Sequence, residues 1–156
     1  MVLLFLAALL ALSDFGHAQK DSVVQFAQET AIQVGHNATL HCNFSTSTST
    51  PYIFWYQQRL TQSPQFLLQV SKFKPHVHSE RISSVLSMEN SQVLLHVQDA
   101  KLQDSAVYLC ALTLASSSSY GKLTFGSGTR LSVHPKVVPS PSVYRLTAKD
   151  DEDLEM

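Results

Sequence analysis

The sequence predicts an all-β protein built as a two-layer antiparallel β-sandwich, and three observations predict it. Its only two cysteines, Cys42 and Cys110, flank its single tryptophan, Trp55, a spacing that suits two sheets pinned face to face around one large indole. Around these residues apolar side chains recur at every second position, the period of a strand with one buried face. Between the alternating stretches lie runs of Ser and Thr, and no segment carries a convincing helical period. A sandwich of this kind acts through the loops and faces it presents, so binding surfaces are sought before catalytic ones.

Taken in order, the chain opens with an apolar run from Val2 to Leu12 and then Gly16-His17-Ala18. The run has the length of a signal peptide and the small residues stand where a signal peptidase reads, so 1–18 is expected to be a signal peptide cleaved after Ala18, although a basic leading region is missing. A short membrane anchor or a buried helix is the competing reading, but a bilayer span needs about 20 apolar residues. No other segment of this sequence could span one. The mature chain then enters the secretory pathway, an oxidising compartment where Cys42 and Cys110 can pair. Closing a loop of that length corresponds to roughly 4 kcal/mol in the chain-entropy account. Two free buried thiols are the alternative, and a metal site is not expected from two cysteines without clustered histidines.

From Ala38 to Phe44, Leu40, Cys42 and Phe44 share one face while Thr39, His41 and Asn43 share the other. From Ile53 to Gln58, Ile53, Trp55 and Gln57 face inward, which leaves Phe54, Tyr56 and Gln58 on an outer face that is aromatic. Val93, Leu95 and Val97 alternate with Leu94 and His96, and Ala106, Tyr108 and Cys110 alternate with Val107 and Leu109. An antiparallel sheet in a monomer ordinarily alternates apolar in with polar out. Outward positions reading Phe54, Tyr56, Gln58, Leu68, Val107 and Leu109 therefore predict a second protein packed on that sheet, in preference to a long loop folded over it.

Three stretches change to loop chemistry: Ser45 to Pro51, nearly all Ser and Thr; Ser71 to Ser79, with Lys72, Phe73, Lys74, Pro75, His76 and His78; and Leu112 to Gly121, with its serine run. Hydroxyl-rich segments build no core and suit adaptable, hydrogen-bonding loops of the kind seen in paratopes.

Four motifs now stand in order: the Cys42 to Cys110 frame; Trp55-Tyr56-Gln57-Gln58; Asp104-x-Ala106-x-Tyr108-x-Cys110; and Phe125-Gly126-Ser127-Gly128-Thr129 followed by Leu131-x-Val133-x-Pro135. Together they resemble an immunoglobulin variable domain and, more narrowly, the variable region of a T-cell receptor alpha chain. The resemblance covers about residues 20–135, with a variable domain expected over 19–135. The Val133-His134-Pro135 ending is closer to alpha joining segments than to antibody light chains, which usually end in a basic residue.

The resemblance implies an immunoglobulin-like variable-type sandwich that recognises peptide held by a major histocompatibility molecule while paired with a beta chain. Its hypervariable loops would match roughly Thr46 to Tyr52, Val70 to His76 and Ala111 to Thr124, with antigen contacts from Thr48, Pro51 and Tyr52, from Ser71, Lys72 and Phe73, and from Leu112, Thr113, Leu114, Ser116, Ser117 and Ser118. The third loop would cross a recombined junction. Phe54, Tyr56, Gln58, Pro64, Leu109 and Phe125 match positions that pack on the beta variable domain. Arg81 and Asp104 fall where such domains hold a salt bridge, Trp55 and Tyr108 where they hold core aromatics, the latter as a tyrosine corner. Gly126 and Gly128 would supply backbone conformations closed to other residues.

Asn37-Ala38-Thr39 and Asn43-Phe44-Ser45 are N-glycosylation sequons on outward positions, with Asn37 favoured because access near Cys42 is limited. Residues 136–146 resemble the opening of an alpha constant domain, and an acidic stretch follows from Lys149 to Met156. The expectation for 136–156 is a truncated constant-region start without stable structure. Signalling subunits would join only a full-length chain, at the plasma membrane.

The net charge of −1 and isoelectric point near 6.6 give no sign of nucleic acid or an anionic surface as partner. Seven histidines include His76-x-His78, but no third ligand stands at metal spacing. No nucleophile elbow, phosphate loop or paired-carboxylate motif is present, so no enzyme and no cofactor is expected. The remaining alternatives are an antibody light chain, a delta-chain variable domain, and a germline-encoded adhesion or innate receptor domain of the same fold.

Overall fold

The computed structural model of the chain describes residues 21–116, 119–120 and 122–136. Its strands run in the order β1 (Ser22–Phe26), β2 (Glu29–Gln33), β3 (Ala38–Ser45), β4 (Pro51–Gln58), β5 (Gln65–Ser71), β6 (His76–Ser79), β7 (Ile82–Ser87), β8 (Gln92–Val97), β9 (Ala106–Ser116), β10 (Ser119–Tyr120), β11 (Thr124–Phe125) and β12 (Thr129–His134). They form a five-stranded sheet ordered β1-β3-β8-β7-β6 and a second sheet ordered β2-β12-β9-β4-β5, with β10 and β11 also paired to β9. The sequence's all-β immunoglobulin-like sandwich is the observed architecture.

Alternation builds the core. In β3 and β4 every second residue is buried, so Leu40, Cys42 and Phe44 of one sheet meet Ile53, Trp55 and Gln57 of the other. Val93, Leu95 and Val97 join the first layer, and Tyr108, Cys110, Leu112, Leu131 and Val133 the second. Burying each large apolar side chain contributes about 1.5–3 kcal/mol. The Cys42–Cys110 disulfide ties β3 to β9 with the Cα atoms 6.5 Å apart, so the pin joins the two layers.

Four polar side chains inside this core pair with one another or with backbone. Trp55 Nε1 donates to Ser84 Oγ at 3.0 Å, and Ser84 in turn donates to the Leu94 carbonyl at 2.7 Å. Gln57 Nε2 donates to the Tyr108 hydroxyl at 3.0 Å, and that hydroxyl donates to the Asp104 carbonyl at 2.7 Å. The last bond is the tyrosine corner. Burial pushes the Tyr108 phenol above its ordinary range, against the Gln57 bond that lowers it.

The first strand changes sheets. β1 pairs antiparallel with β3, then Ala27 turns the backbone with a φ of 63°, and β2 pairs parallel with β12. A left-handed alanine is costly by about 1 kcal/mol and persists because the ladders on both sides fix it.

Three sequence expectations are corrected. Leu68 points into the core rather than outward, because a register irregularity between Trp55 and Tyr56 pairs Trp55 with Leu68 but Tyr56 with Phe66. The stretch from Ser71 to Ser79 is only partly loop: Lys72 and Phe73 turn tightly across the Ser71 to Lys74 bridge, and β6 follows. One turn of 3-10 helix, Leu102–Asp104, precedes β9 where the sequence showed no helix.

Candidate recognition and pairing surfaces

Register gathers the loop ends. Tyr52 near the start of β4 stands opposite Ser71 at the end of β5 and opposite Thr113 in β9. The segment before Pro51, the turn after Ser71 and the chain beyond Leu114 therefore leave the sandwich at one end. Thr46 and Thr48 shape the first of these by accepting the amides of Thr48 and Thr50 through their hydroxyls, both at 3.3 Å. The second ends in a cationic and aromatic tip: Phe73 is 70 % exposed, with Lys72 Nζ 5.2 Å from its ring centroid.

Several residues expected at this end do not offer surface. Pro51 opens β4 fully buried, Leu112 belongs to the core, and Ser71 is buried at the β5 terminus. Each lies on a strand still inside the sandwich, one or more residues before the chain emerges. Thr113 and Leu114 are half-buried and still paired within β9, opposite Tyr52 and Pro51. Thr48 and Tyr52 are half-buried, and Lys72 is exposed. Ser116 is the last residue of β9, and Ser117 and Ser118 lie outside the described residues.

Beside this end lies the outer face of the second sheet. By register Phe54 stands across from Ala111, Tyr56 from Leu109 and Gln58 from Val107, while Phe125 of β11 stands across from Ala111. An aromatic cluster results: Phe54 to Phe66 at 6.2 Å between centroids, Tyr56 to Phe66 at 6.0 Å and Tyr56 to Phe125 at 5.7 Å. Phe66 is 56 % and Phe125 48 % exposed. Among the described residues no strand or loop covers them. Pro64 is exposed at the rim, and Gln58 donates to the Gln62 carbonyl at 3.3 Å.

Phe66 was missed in the sequence. The sequence puts Leu68 in its place, two residues on, because parity along β5 cannot reveal the extra residue, Leu67, that β5 itself carries opposite the step from Trp55 to Tyr56.

The same face receives Gly128, whose φ is +89° and whose absent side chain leaves room for Val107 and Leu109; a β-carbon there would lie 2.9 Å from Val107 Cγ1. Gly126 serves differently from expectation. Its backbone needs no left-handed conformation, but a β-carbon would lie 2.6 Å from Gln25 Oε1. Gln25, unremarked in the sequence, is buried and ties three segments together. It donates to the Tyr108 carbonyl at 2.8 Å and accepts the amides of Cys110 at 3.1 Å and Gly128 at 2.9 Å. The third loop thus springs from a base, Cys110 and the 126–128 segment, held by one carboxamide.

At the opposite end Arg81 and Asp104 form a two-pronged ion pair, Nη1 to Oδ2 at 2.8 Å and Nη2 to Oδ1 at 3.0 Å. Burial pushes the Asp104 carboxyl up, but the hydrogen bonds from Arg81 and from the Lys101 amide together outweigh it and hold the group below its usual range. The hydrogen bond to Asp104 correspondingly raises Arg81.

Asn37 is exposed before β3, and Asn43 is half-buried within it. His76 and His78 are exposed on the edge strand β6, and among the described residues no group of three or more His, Cys, Asp or Glu is placed to hold a metal ion. No helix among the described residues is long and apolar enough to cross a membrane. The expected signal peptide over 1–18 and the constant-region start, apart from Lys136, lie outside the described residues.

Residues 25–134 match the family model of the immunoglobulin V-set domain. The chain is 38 % identical over 112 residues to the rabbit (Oryctolagus cuniculus) T-cell receptor alpha chain V region RL-5, covering 72 % of this chain and 81 % of that one. It is 36 % identical over 115 residues to the mouse (Mus musculus) T-cell receptor alpha chain V region CTL-F3, covering 74 % and 83 %. It is 30 % identical over 151 residues to the human (Homo sapiens) T cell receptor alpha chain MC.7.G5, covering 96 % of this chain but 54 % of that one. The chain therefore spans about half the length of the human relative.

Proposed function

Because the chain belongs to the immunoglobulin V-set family and, within it, to the T-cell receptor alpha variable regions, which are receptor domains and not enzymes, we propose that it reads antigen as one half of a two-chain receptor. In this reading the loop end binds peptide held by a major histocompatibility molecule, and the aromatic outer face packs on a beta chain. The observation that carries it is the alignment of Ser71, Tyr52 and Thr113 in one row, which brings three polar loops together at one edge of an uncovered aromatic face.

The two surfaces have separate tasks. Lys72 and Phe73 supply one long flexible cation and one rigid aromatic, a mixture that suits recognition of varied surfaces. Phe54, Tyr56, Phe66 and Phe125 supply a fixed apolar patch with Gln58, Pro64 and Leu109 around it, the composition of a stable interface core. The chain reaches this role through the secretory pathway, and the receptor it forms would assemble with signalling subunits at the plasma membrane.

The test is to co-express the chain with a beta chain and measure both assembly and binding to soluble peptide-loaded histocompatibility molecules. Substituting Phe73 is expected to weaken ligand binding while assembly persists, and substituting Tyr56 to abolish assembly. A correctly oxidised chain that stays monomeric with beta variable domains at high micromolar concentration would overturn the reading.

A further inference from the structure

We propose that Asn37 carries an N-linked glycan and that Asn43, in the second sequon of the same strand region, does not. The inference rests on entry into the secretory pathway, part of the function proposed above. The sequence favours Asn37 only by its distance from Cys42, and the fold supplies the geometry that separates the two sequons.

Asn37 is exposed in the turn between β2 and β3. The turn is rigid. Gly35, with a φ of 89°, donates to the Ala100 carbonyl at 2.9 Å, and Ala100 returns a bond to the His36 carbonyl at 2.9 Å. Asp99, held at a φ of 47°, donates its amide to Asn37 Oδ1 at 2.9 Å. That bond occupies the oxygen of the side-chain amide and leaves Nδ2, the atom that takes the sugar, as the free end. Asn43 sits differently. It lies in the interior of β3, paired with Val24 of β1 and Gln92 of β8, and its Oδ1 is buried without a hydrogen-bond partner. A sugar rooted there would stand on the face of a central strand, with β1 and β8 close on either side and the amide oxygen beside it already buried.

In the modification, Asn37 Nδ2 bonds to the anomeric carbon of an oligosaccharide carried on a lipid pyrophosphate. The bond from that carbon to the pyrophosphate oxygen breaks, and the lipid pyrophosphate leaves with the proton lost from the amide. Position gives the glycan a consequence. β3 has 8 residues and ends at Ser45, where the first loop begins, so Asn37 lies about 25 Å from the recognition end. A glycan there shields the end of the sandwich that carries Asp99 and Ala100, and leaves both the loops and the aromatic face open.

The experiment is expression of the full chain with a beta chain in a glycosylating eukaryotic cell, followed by removal of N-glycans with an amidase that leaves aspartate in place of each modified asparagine. The expected result is one glycan-sized mobility shift and aspartate at position 37 alone. Asn37→Gln and Thr39→Ala should each abolish the shift, Thr39→Ser should retain it, and Asn43→Gln should leave it unchanged. The mobility shift is read on intracellular chain as well, so a variant that folds poorly still reports. Aspartate at position 43, or no glycan on a chain whose Cys42 and Cys110 are oxidised, would overturn the proposal alone. No glycan together with free thiols would overturn it along with the secretory reading.

Discussion

Gln25 and Gly126 are in contact so close that a β-carbon at the glycine would lie 2.6 Å from the glutamine Oε1. That oxygen already accepts the amides of Cys110 and Gly128, while the Nε2 of the same side chain donates to Tyr108. A single carboxamide from the first strand therefore satisfies three buried backbone groups at the root of the third loop. Gln25→Ala should cost about 2–4 kcal/mol, since each orphaned buried group costs about 1–3 kcal/mol and part of that relaxes. Denaturant unfolding of the variant checks it.

Gly126→Ala should cost about 1–3 kcal/mol by forcing the Gln25 side chain aside. The informative measurement is the pair. If the damage passes through Gln25, Gly126→Ala should cost less in the Gln25→Ala background than alone. Equal costs in both backgrounds would mean that the glycine acts through something else.

Asp104 makes acid stability depend on one ion pair. Its carboxyl is held below the unfolded value of about 3.9. A carboxyl lowered in the folded state stabilises the fold fully above its unfolded value, and the contribution fades as pH falls through the folded one. Asp104→Asn should thus destabilise the domain by about 1.5–3 kcal/mol near neutral pH, the worth of hydrogen bonds to a charged group. The gap to the native chain should narrow below about pH 4. Thermal unfolding of both proteins across that range checks it, and a constant gap would contradict the assignment.

Ser84 is the partner of the only tryptophan, and little in the sequence marks it. It accepts Trp55 Nε1 at 3.0 Å while itself buried. Ser84→Ala should cost about 1–3 kcal/mol by leaving the indole N–H unsatisfied. Trp55 fluorescence during denaturation should report the shift in midpoint directly.

The frame was legible because its signals are local or rare: Cys42, Trp55 and Cys110 are unusual residues, and the faces of β3 and β4 follow from parity. What was illegible depends on partners far along the chain. Gln25 reads as one more polar residue in a short strand, and its partners lie 83, 85 and 103 positions away. Pro51 and Leu112 read as loop surface because their neighbours are hydroxyl-rich; composition marks where a loop begins only to within a few residues. Leu68 and Phe66 exchanged roles because the irregularity opposite Tyr56 is a property of two strands and not of either sequence.

That exchange yields the sharpest test of the pairing face. Phe66 is 56 % exposed and packs edge-on against Tyr56 at 6.0 Å, so it contributes little to the isolated domain and much to any surface that covers it. Phe66→Ser should leave monomer stability within about 1 kcal/mol, as exposed positions usually do. Pairing with a beta variable domain should weaken by about 2 kcal/mol, roughly 30-fold, the cost typical of a central aromatic anchor. Leu68→Ser should behave in the opposite way, unfolding the domain by about 2–5 kcal/mol because its side chain fills the core. Calorimetric unfolding and association measured on the same two variants separate these outcomes. Were Leu68→Ser to spare the fold and impair pairing, the outer face would belong to Leu68 and the register at Tyr56 would have to be redrawn.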